Sequence, residues 1–465
     1  MGSEEEFVDE VQSLVGREVV RRDSTAPFEV DWTRRFGGPT PAVLLPRSTA
    51  EVVSIVSAAR RHRVALVPQG GNTGLVGGGV PGAGEVVVSL RRFTEIGIID
   101  PLSRQVTVGA GVTLQEVHET VGRSGLRYPV DFGARGSATI GGTVATNAGG
   151  VNVLRHGMTR RHVVGLEAVL GNGEVVSRLT GLVKDNTGYD LVGLLCGSEG
   201  TLAIVTKVRL QLTTLPSSRV VLLIGCSSVD AAMTLVGELG AIDGVEAVEI
   251  MERSGVELVG RLRDSTVPIS ANVHLLVEVD GRHADEVRAL IDERVDERGD
   301  ERGDERVAVA VTAAQSASLW RLREEHTPSI QDRARERGSF PLKFDVTVPL
   351  GAIARFVVEV RRAVEDAWPS AETYLFGHAA DGNLHVNVVG EGQPTEAIER
   401  LVTGSVLELV SRVGGSISAE HGIGVAKREW IGLARSAAEI SAMRALKSAL
   451  DPDGVLNPRV LLPSD

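Results

Sequence analysis

The chain has 465 residues, too many for one hydrophobic core, so two or three domains are expected. Lys and Arg number 49 against 61 Asp and Glu, a net charge of −12; with no basic run and only 3% aromatic residues, this argues against a general nucleic-acid binder. Two cysteines, Cys196 and Cys226, provide neither a disulfide framework nor a cysteine-rich metal site, and no apolar run reaches the length of a membrane span. The acidic start carries no apolar signal region and Glu6 breaks the myristoylation pattern, so a cytoplasmic protein is expected, with peripheral association with a membrane left open.

Residues 1–40 read as an N-terminal helix and an irregular lead-in. Residues 42–45 form a short strand, and Ser48 with Glu51 has capping-box spacing, which predicts a helix to about His62. Further strands are predicted at 64–67, 85–90, 97–100 and 105–108, with a helix over 113–123. Residues 163–170 and 174–177 flank Gly171-Asn172-Gly173, a hairpin signal, and 201–212 alternates as a half-buried strand. Pro216-Ser217-Ser218 marks a domain boundary. Beyond it, strands and helices alternate through 220–225, 231–239, 245–251 and 272–279, as in an α+β domain whose sheet is covered by helices. Residues 292–306 repeat Asp-Glu-Arg and read as a solvated helix end or a disordered loop. Residues 316–338 read as one long helical stretch, 341–348, 373–378 and 384–389 as strands, and 395–413 as a helix.

Fifty-four glycines exceed a tenth of the chain and cluster in a few loops, which implies close backbone approach to something bulky. The densest loop is 68–79; a second covers 133–150 and a third 184–200. None is a Walker A motif. Gly77, Gly79 and Gly82 match G-x-G-x-x-G, but Pro81 lies inside it and a strand follows, so the Rossmann context fails. A loop between strands whose backbone N–H groups form an anion nest is the better reading, and three such stretches suit one extended dinucleotide of about FAD size. Plain turns are the alternative; they explain 171–173 well and 133–150 poorly.

A different chemistry is suggested by residues 377–387, Gly-His-Ala-Ala-Asp-Gly-Asn-Leu-His-Val-Asn. His378 and His385 are seven apart and would face opposite sides of one continuous strand. If the chain doubles back through Asp381, Gly382 and Asn383, both imidazoles can reach one metal, with a third ligand from Ser418-Ala-Glu-His-Gly422. On the two histidines alone, an ordinary polar pair beside a turn is an equal alternative.

Residues 68–74, 140–150, 185–191 and 197–204 resemble the FAD domain of the vanillyl-alcohol-oxidase-type flavoproteins. Residues 377–387, Ala419-Glu-His-Gly-Ile-Gly424 and Leu456-Asn-Pro458 narrow the resemblance to the branch of FAD-linked D-2-hydroxyacid dehydrogenases. That branch includes D-2-hydroxyglutarate dehydrogenase, D-lactate dehydrogenase and the glycolate oxidase FAD subunit. The resemblance spans about residues 40–460 and implies an α+β chain. Residues 1–214 would form the FAD-binding domain and 215–413 a substrate or cap domain with an antiparallel sheet covered by helices. Residues 414–465 would return to the flavin.

The resemblance also implies a site. Pro68, Gly70, Gly71, Asn72, Thr73, Gly74 and Leu75 would cradle the FAD pyrophosphate. Gly133, Ser137, Ile140, Gly142, Thr143, Asn147 and Gly150 would wrap the rest of the cofactor, Glu199, Gly200 and Ile204 its adenine side, and Asn457 would approach from the tail. The first loop has no histidine, so FAD is expected to be non-covalent, although His156 and His162 lie near the second loop. His378, His385 and Glu420 match the family's metal ligands, a set that suits Zn²⁺, with Mn²⁺ or Fe²⁺ as alternatives. His421 matches the base that takes the hydroxyl proton while hydride leaves Cα for the flavin; orienting Glu420 is its bland alternative. Arg323, Thr327, Lys343 and Asn387 match substrate contacts, whereas Trp320 reads as packing; for Arg323 the bland alternative is a surface pair with Glu324 or Glu325.

The leading expectation is metal-assisted oxidation of a D-2-hydroxyacid by FAD, with an electron-transfer flavoprotein or a quinone as acceptor. D-2-hydroxyglutarate is favoured over D-lactate because Asp31-Trp32 and the set Arg323, Thr327, Lys343 resemble the hydroxyglutarate enzymes more closely. The rivals are a metal-dependent hydrolase and a non-catalytic flavin-binding subunit. The oligomeric state, a homo-oligomer included, is left open.

Overall fold

Residues 3–216, 218–297 and 307–463 are described in the computed structural model, so the Asp-Glu-Arg repeat lies outside the described residues from position 298 to 306. The chain divides into two units, one comprising Met1–Gly150, His156–Leu215 and Glu420–Asp465, the other Val151–Arg155 and Pro216–Ala419.

In the first unit, an N-terminal helix spans Ser3–Val15, and local signals set the helix Thr49–His62. Ser48 Oγ accepts the Glu51 N–H at 3.2 Å, and the Glu51 carboxylate accepts the Arg47 N–H at 2.6 Å. The Thr49–His62 helix then buries Val52, Ile55, Val56 and Ala59, one face at i, i+3, i+4 and i+7, against Leu44, Leu66, Val86 and Val88. Those last residues belong to a sheet ordered Val20–Arg21, Val43–Leu44, Val86–Ser89, Leu66–Gln69, with parallel pairing among the last three strands. A second, antiparallel sheet is ordered Gln105–Gly109, Ala203–Gln211, Val163–Leu170, Val175–Arg178, its last two strands joined through the expected hairpin at Gly171–Gly173.

Three expectations need correction in this unit. Residues 97–100 form no strand: the backbone makes isolated bridges at Ile96 with Val108 and at Asp100 with Gln105, and it turns directly after Asp100, whose Oδ1 accepts the Leu102 N–H at 2.9 Å. The second glycine stretch is not all loop: Ile140–Thr146 is a helix, capped by Thr139 and closed by Asn147 in the left-handed region. Its Ile140, Thr143 and Val144 are buried, and that apolar face outweighs the helix-weakening effect of Gly141 and Gly142. The third stretch likewise holds a short helix, Leu191–Leu195, capped by Asp190.

In the second unit, seven antiparallel strands form one sheet among the described residues. Their order is Val307–Ala310, Arg219–Cys226, Val273–Asp280, Val245–Glu252, Glu372–His378, Asn383–Val389, Leu342–Thr347. Val221, Leu223, Leu276, Met251, Tyr374 and Phe376 share one face and bury it under the helices Arg253–Arg263, Ala313–Glu324 and His326–Glu336. Each such side chain contributes roughly 1.5–3 kcal/mol of apolar burial. The helices Val229–Leu239, Ile353–Ala367 and Glu396–Arg412 also pack on the sheet. The stretch expected as one long helix is two, meeting at Glu325, because Pro328 has no N–H to give the Glu324 carbonyl and its ring crowds that carbonyl. Trp320 packs against the core and donates from Nε1 to Glu278 at 2.9 Å, as expected of a packing residue. Among the described residues no helix is long and apolar enough to cross a membrane.

His326 starts the second of those helices and is fully buried. Its Nδ1 donates to the Leu322 carbonyl at 2.7 Å, while Nε2 faces Gly255 with no hydrogen-bond partner among the described residues. Burial holds its pKa down to about 3 against an ordinary 6.5. The unfolded chain therefore takes up this proton first, and the residue's contribution is constant above about pH 6.5. Stability should fall by up to about 1.4 kcal/mol per pH unit as pH drops from about 6.5 toward about 3. Denaturant melts from about pH 7.5 to about pH 4.5 check this: a His326→Leu protein should lose stability less steeply than its parent, and parallel curves would refute the assignment.

Candidate active site

The glycine loops of the first unit enclose a cavity of about 300 Å³. Pro68 and every residue from Gly70 to Leu75 line it, with Gly142 and Thr143 from the second stretch and Glu199, Gly200 and Ile204 from the third. The loops pack backbone to backbone. A Cβ at Gly71 would lie 1.9 Å from the Ser137 carbonyl oxygen, so only glycine fits there. Arg91 donates to the carbonyls of Gly70 and Gly71, each at 3.1 Å, and fixes that loop.

Gly133, Ser137, Ile140, Asn147, Gly150 and Asn457 were expected to touch the cofactor but do not line the cavity. Several of them support the loops that do. Ile140 is core, Ser137 backs Gly71, and Asn147 accepts the Arg160 N–H at 2.8 Å. Asn457 donates from Nδ2 to the carbonyls of Gly78 at 2.8 Å and Glu199 at 2.9 Å, tying the tail to the first and third stretches.

Glu420 and His421 line the same cavity. Glu420 Oε1 accepts the Gly150 N–H at 2.6 Å. The turn after His421 is held by Glu199, whose carboxylate accepts the N–H groups of Ile423 at 2.8 Å and Gly424 at 2.7 Å. Burial pushes the Glu199 carboxyl up, against those two N–H groups. Glu199 thus anchors the loop that carries His421, a role its motif did not suggest. Asp31 also lines the cavity; its carboxylate accepts from Thr33 Oγ1 and the Arg35 N–H, so it organises a turn.

In the second unit the hairpin resolves the odd spacing of the two histidines. The strands pair down to His378 opposite Asn383, so the connection is the four residues 379–382 and Asn383 belongs to a strand. The expected turn of Asp381, Gly382 and Asn383 is therefore shifted: Asp381 Oδ1 accepts the Asn383 N–H at 3.0 Å, and Gly382 takes the positive φ of 79°. Phe376 faces His385, which puts His378 and His385 on one side of the sheet as diagonal neighbours, ring centroids 5.5 Å apart.

The same side carries Asn387 opposite Lys343 and Asp345 opposite His385. Burial pushes the Lys343 ammonium down to about 8. Arg323 reaches this face from its helix: its guanidinium lies over the Phe376 ring, 4.5 Å from the centroid, and Nε donates to Glu249 Oε2 at 2.6 Å. Its partner is this buried carboxylate and not the neighbouring Glu324 or Glu325. Thr327 is half-buried in the first turn of the next helix, which packs on the Asn383–Val389 strand.

A divalent metal fits the two histidines. His378 Nδ1 bonds to Glu249, and His385 Nδ1 lies 3.6 Å from Asp345, so each ring has a carboxylate on one nitrogen, as metal-ligating imidazoles do. Burial works against the Glu249 charge, but His378 and Arg323 hold its carboxyl down to about 2. The sequence reading missed Glu249 and Asp345. A signal existed for both: a carboxylate flanked by apolar residues within a strand, and, for Asp345, the position two residues after Lys343, on the same face.

Comparison with known proteins agrees with this geometry. A family model described as FAD linked oxidases, C-terminal domain, matches residues 215–461, and one described as FAD binding domain matches residues 40–178. The chain is 40% identical over 436 residues to a D-2-hydroxyglutarate dehydrogenase of Xanthomonas citri pv. viticola, covering 92% of this chain and 90% of that one. It is 33% identical over 463 residues to a D-2-hydroxyglutarate dehydrogenase of Stutzerimonas stutzeri, covering 97% and 98%. The 4-ethylphenol oxidase of Gulosibacter chungangensis has the same fold, with a TM-score of 0.72 over 99% of this chain and 98% of that one at 19% identity. The fold is thus the expected vanillyl-alcohol-oxidase type, and the chain belongs to the FAD-linked oxidases, in the branch of the D-2-hydroxyglutarate dehydrogenases.

Proposed function

We propose that the protein oxidises D-2-hydroxyglutarate to 2-oxoglutarate with non-covalent FAD and a divalent metal, Zn²⁺ in first place. The observation that carries this reading is the clustering of Lys343, Asn387, His385 and His378 on one face of three adjacent strands, within a chain 40% identical to a D-2-hydroxyglutarate dehydrogenase. Bound FAD would accept the two electrons with the Cα hydrogen, and the metal would polarise the substrate hydroxyl.

The chain's own residues do the rest. His378 and His385 would supply two nitrogen ligands, and Glu420 the carboxylate that the sequence resemblance assigns. Arg323 and Lys343 offer positive charge for carboxylates, with Thr327 and Asn387 as neutral hydrogen-bonding partners. His421 takes the hydroxyl proton. Non-covalent FAD is supported by the cavity lining, where His421 is the only histidine among the described residues and neither cysteine nor tyrosine occurs. His156 and His162 do not line it; His162 Nε2 bonds to the His156 carbonyl at 2.8 Å and His156 meets Arg127 at 2.7 Å. Turnover also needs an electron carrier, a quinone or an electron-transfer flavoprotein.

The purified protein should be yellow, absorbing near about 450 nm as oxidised flavins do. Anaerobic D-2-hydroxyglutarate should bleach it faster than D-lactate, D-malate or glycolate; no bleaching by any of the four would refute the reading. Lys343 adds a pH dependence. It is charged below about pH 8 and neutral above, so kcat/KM should fall with increasing pH beyond that point. A Lys343→Met protein should be poorer at neutral pH and lack that decline; an unchanged decline would remove Lys343 from carboxylate binding.

A further inference from the structure

We propose that Glu249 is the positioning residue of this site, one carboxylate that holds a metal-ligating histidine with one oxygen and the substrate-binding arginine with the other. The inference rests on the dehydrogenase reading above. Glu249 lies directly opposite His378 in the neighbouring strand and is fully buried. Its Oε1 meets His378 Nδ1, and its Oε2 accepts from Arg323 Nε at 2.6 Å. These partners are 129 and 74 residues away in sequence, on a strand and on a helix, so no local feature would bring them together.

Each bond has a consequence for the site. A carboxylate on Nδ1 fixes the ring orientation and tautomer of His378 and directs Nε2 toward a metal. Using Nε of Arg323 leaves the two Nη groups to grip a substrate carboxylate, and stacking on Phe376 holds the guanidinium plane. The metal-ligand arm and the substrate arm are therefore set against each other by a single side chain. Asp345 provides the contrast. Its contact is with the other histidine: it faces His385 across the adjacent strand pair, 3.6 Å from Nδ1.

The test compares full-length, FAD-loaded parent, E249Q, E249D and D345N proteins. Zn²⁺ affinity is read by competition with a chromophoric chelator, and kcat and KM for D-2-hydroxyglutarate are read at saturating Zn²⁺. E249Q should bind Zn²⁺ about 10–100-fold more weakly and, with Zn²⁺ saturating, show a KM raised about tenfold or more. D345N should weaken Zn²⁺ binding through His385. E249D keeps the charge but is one methylene shorter, and should recover one of the two properties and not both. A folded E249Q protein with parental Zn²⁺ affinity and KM overturns the inference, as does one in which only one of the two changes. If E249Q does not fold, parental values for both quantities in E249D overturn it. A parent that binds neither Zn²⁺ nor the hydroxyacid overturns the dehydrogenase reading, and this inference with it; a responsive parent beside an unperturbed E249Q overturns the inference alone.

Discussion

A His421→Asn protein should purify yellow, keep its FAD, and reduce it with D-2-hydroxyglutarate about 10²–10⁴-fold more slowly than the parent, the range that a positioned general base contributes. Three observations support that proposed role. The imidazole lines the cavity built by the glycine loops. Its neighbour Glu420 is fixed through the Gly150 N–H, and the turn that follows is fixed by Glu199 through Ile423 and Gly424. Asparagine keeps a polar group of similar reach but cannot accept a proton at neutral pH. Single-turnover reduction followed by flavin absorbance, without oxygen and with metal saturating, isolates the proton-abstraction step from reoxidation. If His421 served only to orient Glu420, the loss would appear as weakened metal binding and would disappear at saturating metal. A reduction rate within about threefold of the parent's under those conditions would remove His421 from the chemistry.

Much of this arrangement could be read from the residues before the fold, and what could not has more than one physical cause. Local signals worked well. Ser48 with Glu51 capped its helix, Gly171-Asn-Gly173 made its hairpin, and the strands flanking residues 379–382 paired as the odd histidine spacing required. Some errors were cases where buried side chains overrode local composition, and others were local signals passed over. Glycine count hid the Ile140–Thr146 helix, whose apolar face is buried, and helical periodicity carried one helix through Pro328 where the backbone divides into two. The Ile353–Ala367 helix was missed although Ile353, Phe356, Val357, Val360 and Val364 recur at helical spacing, so that signal was present and unread. Glu249 belongs to another class. A carboxylate in a strand says that a partner must exist, because an unpaired buried charge is too costly. It does not say that the partners are Arg323 and His378, since strand register between distant segments is decided by the whole sheet.

The same register carries the last expectation, which concerns the metal. Chelation should lower the parent's activity by at least about 100-fold, because Lewis-acid stabilisation of a developing alkoxide is worth several kcal/mol and about 1.4 kcal/mol is a factor of ten. Added Zn²⁺ or Mn²⁺ should restore it. A His385→Ala protein should start near the chelated parent's level and fail to recover at the metal concentration that rescues the parent. His385 is the better choice of the two histidines. His378 also bonds Glu249, so its removal would leave that buried carboxylate with Arg323 alone and mix a loss of stability into the readout. His385 faces Asp345, and its ring packs 5.1 Å from Phe376 and 5.5 Å from His378. Truncating it opens a small gap in a sheet that seven paired strands hold together. A folded protein that has lost its metal response is the expected pattern, with a lower melting temperature because buried Asp345 loses its His385 contact, measured as melting temperature beside activity before and after chelation. A His385→Ala protein that stays fully active in the presence of chelator would sink the metal-assisted mechanism and leave His421 and the positive charges of Arg323 and Lys343 to account for the reaction.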